Sequence, residues 1–470
     1  MRRSALVVCG ILLTAAVAGA APQAQPLAGT WVGGYSLAGA PTSLVLDNGT
    51  AGRLGAGQQA TSARVVARRG GQLLVTLGNR VSLRGRVTSG RFAGRATRGA
   101  ERGRFELRRV LRTPQPPIAA FDGLYRTPEG HALSLHVNGS DRVWATDYTT
   151  GALRIAWRTG TVRVSAGPVL NGTYPFSDTT AVFDGGKARS ITVGGRTADR
   201  VAERTVRAEW RNGDVKLVGK LRLPPGAGPF PAVVILHGSE GGLRDTYDLW
   251  TSYWVSRGIA ALSYDKRGGG ESTGTAVNNN ARIETLTALA GDAAAAVDWL
   301  RGRADIDPTR IGLAGGSQAG WTIPLTAARQ PGVHWAVILS GPVTSVGHES
   351  IYSALTQDGG RAISDDEAWN ALRDAPQTGF DPRPVITTLR IPILWAWGAV
   401  DRSVFAPESA AELERLSPGR DFTGKLYPGG QHGLLLTRTG ADREVPSSPG
   451  FVPGLFTDIA RWLDARAITR

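Results

Sequence analysis

Cysteine is almost missing: the chain has a single one, Cys9, in 470 residues. It falls inside the apolar run Ala5 to Val17, after Arg2-Arg3 and before Ala18-Gly19-Ala20. That layout is a secretory signal with an A-x-A-like cleavage site near Ala20. Export and cleavage of residues 1–20 leave a chain without cysteine, which excludes disulfides and thiol chemistry in a compartment that would permit them. Residue 8 is a valine, so Leu6-Val7-Val8-Cys9 is a poor lipid-anchor signal. No later apolar run reaches the roughly 18 residues of a bilayer crossing, and no stable membrane span is expected. Lysine is scarce as well: Lys187, Lys216, Lys220, Lys266 and Lys425 are the only ones among 54 basic residues. The arginines are dispersed, so the net charge of +15 describes a solvated basic surface rather than a nucleic-acid reader. Also missing are Cys/His metal spacings, a P-loop and a dinucleotide fingerprint, since Gly268–Gly270 opens no helix of a βαβ unit. No cofactor, metal or nucleic-acid partner is expected, and the oligomeric state stays open.

What is present is ordinary globular material, 41% hydrophobic and 20% charged, in a length that suits two or three domains. Residues 27–112 carry short alternating stretches punctuated by glycine, such as Thr30-Trp31-Val32-Gly33-Gly34-Tyr35 and Gln72-Leu73-Leu74-Val75-Thr76-Leu77. They predict a small barrel or sandwich. Thr113-Pro114-Gln115-Pro116-Pro117 reads as a stiff linker. A second β-rich segment covers 118–200, and its opening Phe121-Asp122-Gly123-Leu124-Tyr125 loosely echoes Ala28-Gly29-Thr30-Trp31. The sequons at Asn48, Asn138 and Asn171 read as polar turns.

From 205 to 470 the pattern changes. Val215 to Leu223 forms an antiparallel edge pair with the strand before it. Pro231-Ala232-Val233-Val234-Ile235-Leu236 is a continuous apolar run, as in a strand buried on both faces. Strands at Ile259–Tyr264, Ile311–Ala314, Trp335–Ser340, Ile391–Trp397 and near Leu426 then alternate with helices at about 284–301 and 455–465. Such alternation predicts an α/β fold, a mainly parallel sheet with helices on both faces, preceded by an all-β N-terminal region.

In that architecture chemistry gathers at the carboxyl ends of strands. Gly315-Gly316-Ser317-Gln318-Ala319-Gly320 follows the Ile311–Ala314 strand and reads as a nucleophile elbow, with Ala319 in the last position of G-x-S-x-G. His237-Gly238-Ser239-Glu240-Gly241-Gly242 can aim a backbone N–H, that of Ser239, at an oxyanion, with Gln318 N–H as the second donor. Asp401 is the acid in the loop after the Trp397 strand. His432, in Gly429-Gly430-Gln431-His432-Gly433, ends the last strand. The order Ser317, Asp401, His432 is that of an acyl-transfer triad on this fold.

These strings, together with Tyr264-Asp265-Lys266-Arg267-Gly268-Gly269-Gly270-Glu271-Ser272-Thr273-Gly274, resemble the α/β-hydrolase superfamily over residues 205–470. Within it they are similar to bacterial dienelactone-hydrolase-like and serine-aminopeptidase-like esterases. The resemblance implies a carboxylic ester hydrolase with the Ser317, Asp401, His432 triad, and a role for the Asp265–Gly274 loop in shaping the site's floor. It also implies that the insertion at 344–390 acts as a lid over an acyl pocket, which Trp321, Trp335, Trp395 and Trp397 either line or support as plain core. The leading expectation is an exported serine hydrolase acting on a small-molecule ester. The alternatives are an amidase, peptidase or acyltransferase on the same triad, or a glycan- or envelope-binding protein whose hydrolase part is secondary. A fragment starting near residue 200 is expected to hold the whole catalytic machinery.

Overall fold

The computed structural model describes residues 27–469 apart from 55–59, 79, 113–114, 173 and 278–281. The signal segment with Cys9, and Thr113-Pro114 of the linker, lie outside the described residues.

The N-terminal β-rich stretches close on themselves twice. Strands β1 (Thr30–Leu37) to β8 (Glu101–Arg109) form a meander whose first and last strands pair, giving a closed barrel. Strands β9 (Gly123–Arg126) to β16 (Arg196–Arg200) form a second closed barrel. Closure removes the free edges that such short strands would otherwise expose. The two barrels meet through Arg108, whose guanidinium reaches Asp178 at 2.6 Å, and through Leu111 N–H donating to Arg158 O at 2.8 Å.

The remaining strands are β17 (Arg204–Asn212), β18 (Val215–Leu223), β19 (Phe230–Leu236), β20 (Ala260–Tyr264), β21 (Ile306–Gly316), β22 (Trp335–Leu339), β23 (Ile393–Gly398) and β24 (Phe422–Tyr427). They make one sheet in the order β17-β18-β20-β19-β21-β22-β23-β24. β18 pairs antiparallel with β17 and β20, and the pairs from β20 to β24 are parallel. Along β19, Ala232, Val234 and Leu236 enter one core with helix α2 (Ile283–Arg301) and helix α3 (Ala319–Arg329). Val233 and Ile235 enter another with Tyr253 and Trp254 of α1 (Asp248–Ser256) and Ile459 of the closing helix (Leu455–Asp464). A strand flanked by apolar layers on both sides has no place for the polar alternation of a half-exposed one, which explains its continuous apolar run. The chain runs from β19 to β20 on one side and crosses back to β21 on the other, so the loops after β19 and β21 part at a switch point.

The second barrel is not an independent appendage. Its Leu124, Ala132, Tyr148, Leu153 and Leu170 share one buried cluster with Tyr253, Phe451 and Phe456. Tyr148 donates its hydroxyl to Leu249 O at 2.6 Å, and Arg126 reaches Ser256 O at 2.6 Å. Phe451 N–H donates to Gly151 O at 2.8 Å. A fragment starting near residue 200 therefore exposes a face of its own core.

Tyr148→Phe in the full chain removes one buried hydrogen bond at this junction and is expected to destabilise the protein by about 1–2 kcal/mol. The measurement is the denaturant midpoint of the transition that reports the α/β region; no change there contradicts a shared core.

Candidate active site

Ser317 lies between β21 and α3 in the left-handed region, at φ 54°. A non-glycine residue there is strained by about 1–3 kcal/mol and persists only where neighbours fix it. Two hydrogen bonds do so, and a close-packed turn leaves room only for glycine beside it. Ser317 N–H donates to Leu339 O at 3.0 Å, and Gly320 N–H returns to Ser317 O at 2.8 Å. A side chain at Gly315 would meet Ala319 Cβ at 2.6 Å and Leu236 O at 2.7 Å, so the turn closes only on glycine. The same contact explains why a small residue suffices at Ala319. The turn leaves Ser317 half-buried at the mouth of a cavity, beside the start of α3, where helix N–H groups favour negative charge.

His432 stands opposite. Its Nδ1 lies 2.9 Å from Asp401 Oδ2 and 3.1 Å from Oδ1. Asp401 is 2% exposed and accepts N–H bonds from Ser403 at 2.8 Å and Val404 at 2.9 Å. Burial alone pulls the His432 pKa down, but the charge and hydrogen bond of Asp401, helped by Asp358 and Glu349, raise it to about 9. Ser317 and His432 line one cavity of 230 Å³ with the apolar Ile235, Trp254, Leu339 and Leu434. Among the described residues no hydrogen bond joins the Ser317 hydroxyl to the His432 ring. The arrangement offers a hydroxyl on a strained turn, an imidazole oriented by a buried carboxylate, and an apolar chamber between them.

The loop after β19 reaches the same cavity through Gly238 and Glu240, which flank the exposed Ser239. Lys266 holds it there: Nζ donates to Gly238 O at 2.8 Å, Glu240 O at 3.2 Å and Gln318 Oε1 at 3.0 Å. One buried ammonium thus ties the loop carrying Ser239 to Gln318, the residue after Ser317. Burial lowers the Lys266 pKa to about 8, with Glu240 opposing. Asp265 beside it accepts N–H bonds from Arg244 and Glu271, both at 2.9 Å, which sets the turn that follows β20. His237, by contrast, donates Nε2–H to Tyr264 O at 2.6 Å, and burial lowers its pKa to about 4. It is a neutral packing residue.

Of the two readings offered for Trp321, Trp335, Trp395 and Trp397, plain core holds: all four are at most 1% exposed and do not line the cavity. Trp395 and Trp397 both donate to Gly341 O, at 3.1 and 2.8 Å, behind the sheet's loops. The indoles at the cavity are Trp250 and Trp254 of α1. Their spacing of four residues on a helix just after the His237–Gly242 loop was the available signal. The insertion at 344–390 contributes nothing to the lining either. Its helix α4 (Val346–Thr356) instead braces the Asp401 loop, with Tyr352 donating to Asp401 O at 2.7 Å and Thr356 to Arg402 O. Glu349 on the same helix feels the His432 charge, although burial pushes its carboxyl up to about 7. Two other carboxylates of the insertion are engaged elsewhere: Asp381 pairs with Arg383 at 2.8 Å, and Asp365 opens the exposed first turn of α5 (Asp365–Leu372).

Comparison with known proteins places these features in context. The model of the X-Pro dipeptidyl-peptidase (S15) family matches residues 212–401, less than half of the chain. Esterase EstD of Thermotoga maritima is 27% identical over 283 residues, covering 53% of this chain and 65% of its own length. An uncharacterized protein of Mycobacterium tuberculosis is 32% identical over 120 residues, covering 25% of this chain and 38% of its own. The chain thus spans under two thirds of the length of these relatives. Among solved structures, the esterase Pf2001 of Pyrococcus furiosus is 16% identical with a TM-score of 0.41, covering 56% of this chain and 92% of that one. The dienelactone hydrolase of Anabaena variabilis is 15% identical with a TM-score of 0.36, covering 56% and 98%.

A base works only when deprotonated, so a raised His432 pKa moves the acid limb of kcat/KM above the ordinary histidine value of about 6.5. Asp401→Asn removes the carboxylate that raises it. The limb is expected to move to lower pH while the plateau rate falls by about 10⁴-fold. A limb that stays in place in Asp401→Asn would mean that another group governs the titration.

Proposed function

We propose that this chain of the α/β-hydrolase superfamily is a serine hydrolase that cleaves carboxylic esters through an acyl-enzyme. The observation that carries the reading is the His432–Asp401 pair facing the same apolar cavity as the strained Ser317. In acylation His432 takes the Ser317 proton as Oγ bonds to the ester carbon. The carbonyl oxygen becomes an oxyanion that the backbone N–H groups of Ser239 and Gln318 receive. Collapse breaks the bond to the alkoxy oxygen, which leaves as alcohol with the proton from His432. Water repeats the sequence in reverse roles and releases the acid. Asp401 fixes the ring so that Nε2 faces the serine, and stabilises the imidazolium without taking its proton. The 230 Å³ chamber, walled by Ile235, Trp254 and Leu339, suits an apolar acyl group of modest size. Export, with signal cleavage near Ala20, belongs to the same proposal.

A peptidase reading has one observation in its favour, the match to the S15 family over residues 212–401. The same triad serves either bond, and the leaving group decides between them.

The two readings separate on matched substrates: 4-nitrophenyl esters of short acids against the corresponding anilides and a proline-containing dipeptide anilide. Ester turnover well above anilide turnover is expected, and Ser317→Ala and His432→Ala should each lower it by at least about 10³-fold. Preferred cleavage of the dipeptide anilide would replace the esterase reading by the peptidase one.

A further inference from the structure

We propose that the cleft between the second barrel and the α/β sheet is the leaving-group subsite of this enzyme, built for a hydroxyl-rich alcohol such as a polyol or sugar. The proposal rests on the serine-hydrolase reading above. A cavity of 700 Å³ lies at that junction. The barrel supplies Asp122, His136, Asn138 and Trp144 to one wall, and the segment that enters α1 supplies Asp245 and Asp248 to the other. This cleft adjoins the 230 Å³ chamber, because Trp250 and Gly433 line both.

The chemistry fixes which part of the substrate goes where. When the acyl-enzyme forms, the Ser317 Oγ–carbon bond is made and the carbon–alkoxy bond breaks. The alkoxy oxygen receives the proton that His432 carries, so the alcohol departs on the His432 side. Gly433, next to His432, opens onto the larger cleft. The acyl group keeps the apolar chamber, and the alcohol occupies the space between barrel and sheet.

The lining then selects the alcohol. Carboxylates of Asp122, Asp245 and Asp248 accept hydrogen bonds from hydroxyls and repel anions. Among the described residues no lysine or arginine lines the cleft. The nearby Lys220 is committed to Asp245 and Asp248 at 2.6 Å each. A phosphorylated or carboxylated leaving group would therefore find no counter-charge. The half-buried indoles of Trp144 and Trp250 offer flat apolar faces for the C–H side of a sugar ring. His136 is 5% exposed, and its Nε2 is held by Ser252 Oγ at 2.7 Å. Its Nδ1 has no hydrogen-bond partner, with Asp122 Oδ1 3.7 Å away. A substrate hydroxyl set between His136 and Asp122 would turn this long ion pair into two hydrogen bonds.

The test uses the full chain and three butyrate esters that share one acyl group: a glucose monoester, ethyl butyrate and butyrylcholine. The wild-type protein is expected to favour the glucose ester over ethyl butyrate by at least about tenfold in kcat/KM. Trp144→Ala and, independently, Asn138→Ala are expected to move that ratio toward one, mainly through KM, while Trp144→Phe retains most of it. Variants are compared only where their thermal transitions match the wild type, and Asn138→Ala, on a surface turn, keeps the test open if Trp144→Ala fails to fold. A wild-type ratio near one, a preference for butyrylcholine, or a ratio unchanged in both alanine variants overturns the subsite while leaving the esterase intact. Cleavage of none of the three esters overturns the esterase reading itself, and the subsite with it.

Discussion

A buried carboxylate facing a single imidazole is the interaction on which the proposed active site depends. Asp401 is held by two backbone N–H donors within its own loop and has one strong side-chain partner, His432 at 2.9 Å. Taking a carboxylate out of water is expensive unless it is well hydrogen-bonded, so the loop must be rigid before the pair has any use. That rigidity comes from helix α4, which reaches across to the carbonyls of Asp401 and Arg402. The insertion that holds α4 is thus a buttress for the acid. Its position behind the pair also leaves the mouth of the chamber to other elements.

Those elements come from the opposite side. Lys266 ties the loop after β19 to Gln318, so the two segments that would supply the proposed oxyanion donors are held together by one side chain. Helix α1 follows that loop and carries Trp250 and Trp254 into the chamber. The second barrel then packs on α1 through Tyr148 and Arg126. A chain of contacts therefore runs from the barrel through α1 to the chamber wall. The barrel acts on the site by fixing a wall of it as well as by facing the cleft.

The sequence revealed the local parts of this arrangement and missed the long-range ones. Ser317, Asp401 and His432 stand out because each sits in a short polar or glycine-rich string after an apolar run, and strand ends are recognisable one at a time. Lys266 and Gln318 are far apart in the chain, and nothing in either string announces a clamp. Trp395 and Trp397 sit two residues apart on one strand, so a common face is legible. Which layer that face meets is decided by Gly341, more than fifty residues earlier. The insertion at 344–390 announces extra chain between strands, but its docking partner is set by Tyr352 and Thr356 meeting a loop that no pattern links to them. The β-rich stretches read as a barrel or sandwich because alternation fixes strands and not closure, which depends on the pairing of β1 with β8 and β9 with β16.

The central claim is that Ser317 is a nucleophile activated by His432, and covalent capture tests it most directly. The protein is treated with a fluorophosphonate, digested, and the adduct mapped by tandem mass spectrometry, with the rate of labelling followed in wild type and in His432→Ala. The account predicts one adduct, on Ser317, and a labelling rate at least about 10²-fold slower without the imidazole. An adduct on another residue, or equal rates in the two proteins, would contradict it.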